Sequence, residues 1–304
     1  MFKVALIIPT LNGGELFKQL LTSISNQSYQ PCRKIIIDST SKDQTVVLAR
    51  KAGFEVVSIS PDAFNHGLTR QQGVEMVADA DIIIFLTQDA ILADSEVLSR
   101  LVACFTNSDI GAAYGRQLPH SNATPLEAHA RLFNYSAVSR IKSIEDSPAL
   151  GIKTAFISNS FAAYRRSALI GIGGFPINTI LSEDTYVAAK MLLAGYKIAY
   201  CAEAQAYHSH NYSFIQEFKR YFDIGVFQAR EYWIRDKFGQ AEGEGLRYIV
   251  SELKYLWRHN YISFFPSFGV RTLLKYMGYK LGLWEKKIPT SIKRRISMHN
   301  RYWK

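Results

Sequence analysis

The feature that most constrains the fold is an alternation of short β-rich runs with amphipathic stretches across the first two-thirds of the chain. Strand patterns fall at Val4–Ile8, Lys34–Ile37, Phe54–Ile59, Ile82–Leu86 and Ile110–Tyr114, with helical periodicity at Glu15–Ile24, Thr45–Ala52, Leu68–Ala78 and Asp94–Phe105. Such alternation builds an α/β fold, a mostly parallel sheet covered by helices on both faces. Ligands of these sheets bind outside the carboxyl ends of the strands. The residues there are polar: Thr10-Leu11-Asn12-Gly13-Gly14, Asp38-Ser39-Thr40, Thr87-Gln88-Asp89 and Gly115-Arg116-Gln117. Further on, "AFISNSFAAYRRSAL" reads as another strand entering a helix. "GGFPINTILSEDTYVAAKMLLAGYKIAY" then reads as a turn, a helix from about residue 183 to 194 stopped by Gly195, and a strand.

From Tyr212 onward the pattern becomes helical, aromatic and basic. Residues 1–213 carry 18 basic and 18 acidic side chains, whereas residues 214–304 carry 18 and 8, so the whole +10 surplus lies in the last part. All four tryptophans lie there too. This shift sets the expected boundary: a catalytic unit over 1–212 and a helical extension over 213–304. Cys32, Cys104 and Cys201 show no C-x-x-C spacing, which argues against zinc and disulfide frameworks and suits a reducing cytoplasm. The N-terminal run Val4–Ile8 is short and followed by Pro9, so a first strand is expected rather than a signal peptide. No stretch of about eighteen residues is free of charge, which disfavours a membrane span.

Each polar cluster has a structural and a chemical reading. "PTLNGGEL" lacks G-x-G-x-x-G spacing, although Asp38 ends the second strand and leaves a nicotinamide site open on that residue alone. Asp38 can cap the turn "DSTSKDQT" or accept the imide N–H of a pyrimidine base. "FNHGLTRQQG" places Arg70 at a helix start, either as a solvated cation on a capped surface helix or beside a phosphate. Glu183 and Asp184 open a helix, where the dipole favours acids and would keep Asp184 ionised for work as a general base. "AYHSHNY" puts His208 and His210 on one face of an extended segment, a spacing suited to a metal or phosphate. With Asp89, either histidine could hold a hard divalent cation while diphosphate oxygens complete the coordination.

The order of "IIPTLNGG", "IIIDSTSKDQT", "FNHGLTRQQGV", "FLTQDA", "GGF" and "LSEDTYVAAKMLLAGYKIAY" resembles that of family 2 glycosyltransferases with the GT-A fold, over about residues 1–212. "FNHGLTR" and "LTQDA" resemble in particular the bacterial rhamnosyltransferase branch that uses dTDP-L-rhamnose. The resemblance implies that Asp38 meets the base, with Pro9, Thr10, Asn12, Thr87 and Gln88 along the nucleotide and Arg70 near the base or diphosphate. It implies Asp89, with His208 or His210, as ligands of Mg²⁺ or Mn²⁺, and Asp184 as the catalytic base supported by Glu183, Arg116 and Asn159. Thr87 stands where many relatives carry the first acid of D-x-D. The implied activity is inverting transfer to a glycan or lipid-linked glycan at the inner face of the bacterial plasma membrane. A UDP-hexose donor is the alternative within that chemistry.

In the extension, aromatics interleave with Lys and Arg at helical spacing, from "FIQEFKRYFDIGVFQAREYWIRDKFG" to the terminal "IKRRISMHNRYWK". Packing onto the catalytic unit, contact with an anionic membrane surface and nucleic-acid binding are the three readings. No nucleic-acid fold signature accompanies the charge, so no nucleic-acid partner is expected; the terminal cluster suits a lipid-surface anchor. A binding module without activity, and a homo-oligomer, remain open at this point.

Overall fold

The computed structural model describes residues 2–239 and 243–303. Nine strands form one sheet: β1 (Val4–Thr10), β2 (Arg33–Asp38), β3 (Glu55–Ser58), β4 (Ile82–Leu86), β5 (Ile91–Leu92), β6 (Ile110–Leu118), β7 (Arg140–Lys142), β8 (Phe161–Arg165) and β9 (Lys197–Tyr207). Their order is β3-β2-β1-β4-β8-β6-β9-β5, with β7 also on β9. The pairs β1–β2, β1–β4, β2–β3 and β6–β9 are parallel. Strand β8 runs antiparallel between β4 and β6, a reversal that its apolar run does not encode.

Helices α1 (Gly14–Ser25), α2 (Thr45–Lys51), α3 (His66–Met76) and α4 (Val97–Ala103) follow the first strands. Next come α5 (Pro125–Asn134), α6 (Ser147–Leu150), α7 (Arg166–Gly171) and α8 (Glu183–Leu193). Two buried clusters cover the sheet's faces, since inward residues of fully buried strands alternate between its sides. One contains Leu6, Ile8, Phe17 and Ile84, and the other Ile7, Ile37, Phe85 and Tyr164. Because β1 has β2 on one side and β4 on the other, the crevice above their carboxyl ends is the topological switch point.

The remainder is helical: α9 (Phe214–Arg230), α10 (Tyr232–Phe238), α11 (Glu244–Arg258), α12 (Phe265–Leu283) and α13 (Thr290–Ile296). Ser213 starts α9 with a reciprocal capping box, its hydroxyl accepting Gln216 N–H and its own N–H donating to Gln216 Oε1. Phe222, Val226, Phe227 and Ile234 join the same buried cluster as the sheet residues, so this region shares the sheet's core.

Helices α9 and α12 cross with backbones in contact. A Cβ on Gly225, Gly278 or Gly282 would strike main-chain atoms of the facing helix, including the carbonyl oxygens of Tyr279, Phe218 and Phe222 respectively. Gly269, on the same helix α12, faces open space.

The terminal basic segment differs from the lipid anchor expected of it. Lys293 pairs with Glu285 at 3.0 Å, Arg294 Nε donates to the Trp303 carbonyl, and Trp303 is only 5% exposed. Arg301 donates to the Pro61 carbonyl and Tyr302 OH to that of Asn178, tying the tail to two loops of the catalytic unit. Aromatic rings and carbonyls of the protein itself satisfy these cations, which makes the segment a strap; Lys304 lies outside the described residues.

The glycine crossing gives a paired expectation. Gly282→Ala should lower unfolding stability by about 1–3 kcal/mol through overpacking, whereas Gly269→Ala should raise it by roughly 0.5–1 kcal/mol through helix propensity. Urea unfolding of both variants checks this, and equal effects would contradict the close approach.

Candidate active site

The β1–β2 end of the crevice is organised around Asp38, which is 1% exposed. Its Oδ1 accepts the hydroxyls of Thr10 (2.9 Å) and Ser41 (2.6 Å), and its Oδ2 accepts the Ser41 N–H at 2.8 Å. The turn reading of Asp38 is therefore realised, with one acceptor direction left on Oδ2. Asn12 adopts φ 49°, a left-handed conformation in which its N–H meets Ser41 Oγ and its Oδ1 accepts Lys42 N–H. Gln88 bridges from the β4 end: its Oε1 accepts Leu11 N–H and its Nε2 donates to the Leu11 carbonyl. Pro9 lies half-buried at the end of β1 beside Ile37. Thr10, Asn12, Asp38 and Gln88 are thus linked through Leu11, Ser41 and Lys42 at the strand ends.

Asp89 sits in the turn joining β4 to β5, where Ala90 N–H donates to the Thr87 carbonyl. The antiparallel β5–β9 pairing, Ile91 opposite Tyr207, carries this turn to the end of β9. There Asp89 Oδ1 lies 3.6 Å from His208 Nε2, and Oδ2 lies 3.6 Å from His210 Nδ1. The ligand atoms of all three residues fall within 4.8 Å of one another. His208 is 5% exposed, and its Nδ1 bonds Gln117 Oε1 at 2.8 Å. Since that oxygen can only accept, the proton is on Nδ1, leaving the buried Nε2 lone pair facing a carboxylate with no hydrogen-bond partner among the described residues. Burial, then the neighbouring His210, holds the His208 imidazole well below its usual range and hence neutral. A cation placed between these facing acceptors would satisfy both. The donor set, two imidazoles and a carboxylate, fits a divalent metal, with Gln117 as the outer partner that fixes one ring. The buried Thr87 hydroxyl has no partner and adds no charge.

Across the crevice, Glu183 and Asp184 begin α8. Glu183 pairs with Arg70 at 3.0 Å and accepts Asn159 Nδ2–H at 2.8 Å. Asn159 is in turn held by Tyr164 OH at 2.7 Å, and its N–H donates to Asp184 Oδ2 at 3.0 Å. Burial alone would raise Glu183, but Arg70, then His66 and Asn159, hold it below the usual carboxylate range. Asp184 moves the other way: burial first, and the Glu183 charge second, push it up to about 6. This reverses the expected dipole effect, because desolvation and a like charge outweigh the N–H donors of Asn159 and Thr185. Adjacent carboxylates with opposed shifts are suited to different duties.

Arg70 departs from its expected place beside a phosphate. It is 4% exposed, pairs with Glu183 and donates to the His66 carbonyl. The α3 N-terminus is closed by its own chain: Asn65 caps Gly67 and Leu68, and Gly67 lies directly against the Pro176 carbonyl. Arg116 is half-buried on β6, and its charge acts on Tyr200; among the described residues no hydrogen bond or ion pair links it to the carboxylates. Its neighbour Gln117 has the supporting place, also bonding Ser158 and receiving Arg131. Arg220 on α9 went unnoticed in the sequence. Its charge depresses His66, His208, His210 and His299 alike, and among the described residues it has no carboxylate partner. Only its basic, aromatic setting beside Tyr212 could have signalled it.

The comparisons agree with this architecture. The model of "Glycosyl transferase family 2" matches residues 5–173. O-antigen chain rhamnosyltransferase RfbN of Salmonella typhimurium is 51% identical over 302 residues, covering 99% of this chain and 96% of that protein. O-antigen chain rhamnosyltransferase WbaN of Salmonella anatum is 47% identical, covering 98% and 95%. Among solved structures, the mannosyltransferase PcManGT of Pyrobaculum calidifontis, in complex with GDP-Man and Mn²⁺, superposes with a TM-score of 0.66 at 16% identity, covering 94% of this chain and 88% of that one. The chain belongs to glycosyl transferase family 2.

Proposed function

We propose that the protein transfers L-rhamnose from dTDP-β-L-rhamnose, with inversion, to a lipid-linked glycan of an O-antigen or similar surface polysaccharide. The near full-length match to two O-antigen chain rhamnosyltransferases carries this reading. Asp184 takes the proton of the acceptor hydroxyl as its oxygen bonds to the anomeric carbon, while the bond from that carbon to the diphosphate oxygen breaks. A carboxylate with a pKa of about 6 is ionised at neutral pH and basic enough for this step. Arg70 and Asn159 hold Glu183, and so the start of α8, in place. The free acceptor direction of Asp38 suits the imide N–H of the base, and the unpaired Arg220 suits the diphosphate. Asp89, His208 and His210 would hold Mn²⁺ more readily than Mg²⁺, because two of the three donors are imidazoles. Bound there, the cation supplies Lewis-acid stabilisation of charge on the departing dTDP.

No helix of the described residues is long and apolar enough to cross a membrane. One side of α12 nevertheless exposes Leu273, Tyr276 and Met277, followed by exposed Trp284 just past its end, with Lys280, Lys286 and Lys287 nearby. An aromatic and basic face of this kind suits the anionic inner leaflet, where the lipid-linked acceptor resides.

Donor hydrolysis or transfer measured with dTDP-rhamnose and with UDP-hexoses tests the assignment: preference for dTDP-rhamnose is expected, and clear preference for a UDP-hexose would overturn it. Asp184→Asn should reduce transfer by about 100-fold or more while dTDP affinity stays near that of the unaltered protein; retained turnover would remove Asp184 from its role. With Thr87 in place of an acid, Mn²⁺ should bind weakly alone and about tenfold or more tightly with dTDP present, since the diphosphate supplies missing oxygens. Calorimetric titration showing equal Mn²⁺ affinity in both states would contradict that account.

A further inference from the structure

Helices α5 and α11 enclose a groove of about 790 Å³ outside the donor crevice. Along α11 its lining changes in character. Leu246 and Val250, near the start, are 67% and 40% exposed, and Leu132 on α5 is 46% exposed. Lys254, Arg258 and His259 lie near the end of α11. Among the described residues no Asp or Glu lines the groove. Arg247 is tied to Glu244 at 3.4 Å, but Lys254 and Arg258 have no ion-pair partner among the described residues. At a rise of about 1.5 Å per residue, the twelve steps from Leu246 to Arg258 span about 18 Å. The groove is therefore a two-part surface, apolar at one end and cationic at the other.

Its position relative to the transfer site is fixed by α5. The helix is preceded by His120, whose Nε2 contacts the Asp89 carbonyl, and its cap residue Thr124 donates N–H to Asn211 Oδ1. Arg131 on the same helix reaches Gln117, the outer partner of His208. Leu132 and Phe133 of the groove directly follow Arg131 on α5, so the groove lies on the helix that reaches the partner of His208.

We infer that the α5–α11 groove binds the lipid diphosphate end of the acceptor, with the diphosphate at Lys254, Arg258 and His259 and the first part of the apolar chain along Val250, Leu246 and Leu132. Two unpaired cations and a histidine complement a phosphate group, and exposed aliphatic side chains complement the chain attached to it. This inference rests on the transferase reading, because it names the far end of the substrate whose near end meets Asp184.

The test uses the full-length protein saturated with dTDP and Mn²⁺, so that the donor site is filled, and farnesyl diphosphate below its micellar concentration as probe. Calorimetry should show binding that falls at least tenfold in the double variant Lys254→Ala/Arg258→Ala and in Leu246→Asp, with dTDP affinity unchanged in both. Inorganic diphosphate should bind at least tenfold more weakly than farnesyl diphosphate. Equal binding of farnesyl diphosphate by the unaltered and variant proteins would overturn the inference, as would equal affinity for inorganic diphosphate. So would a surface that ignores farnesyl diphosphate yet binds phosphatidylglycerol vesicles through Lys254 and Arg258, which marks a membrane-facing patch. Because binding is read directly, absence of rhamnosyl transfer would count against the donor assignment and leave this result intact.

Discussion

The buried ion pair between Arg70 and Glu183 is the contact on which the site depends. Both side chains are almost wholly removed from water, where an unpaired charge would cost several kcal/mol. Pairing keeps Glu183 ionised, and its charge then raises Asp184. The pair also ties the start of α8 to α3, and through Asn159 and Tyr164 to the antiparallel strand β8. Packing distant elements together therefore sets the electrostatics of one half-buried carboxylate, Asp184.

A second set of constraints converges from the opposite side. The metal triad exists because β5 folds back along β9 and delivers Asp89 to two histidines that a strand-like spacing had already placed together. The C-terminal strap closes the arrangement. Buried Asp223 on α9 accepts the Met298 and His299 N–H groups, and the His299 ring meets His66 at 4.8 Å. His66 is the residue whose carbonyl receives Arg70. The helical region is thus joined to Glu183 and Asp184 through one chain of contacts, and the two relatives match across that region as well.

Much of this was legible in the residues. Apolar runs ending in polar side chains located the strands and the polar crevice at their ends, and alternation placed His208 and His210 together. What escaped depended on partners far away in sequence. Strand β8 has the composition of a parallel core strand, and only its neighbours set its direction. The place of Arg70 at a helix start suits a solvated cation or a phosphate contact, yet it lies with Gly67, Gly73 and Val74 on the buried stripe of α3, a spacing that points inward. Arg116 drew notice by its charge, whereas Gln117, on the opposite side of a strand that alternates, reaches His208. The basic tail resembled a membrane anchor because composition does not reveal that carbonyls and rings of the same chain await those cations.

The central claim is that Glu183, held ionised by Arg70, tunes Asp184 as the base. It is tested most directly by the pH dependence of kcat/KM for the unaltered protein and for Glu183→Gln. A base works only when deprotonated, so activity should be present above a pKa of about 6 and fall as pH drops through it. Removing the Glu183 charge takes away an upward push, and that acid limb should move to lower pH. A limb that stays in place or moves upward would contradict the account.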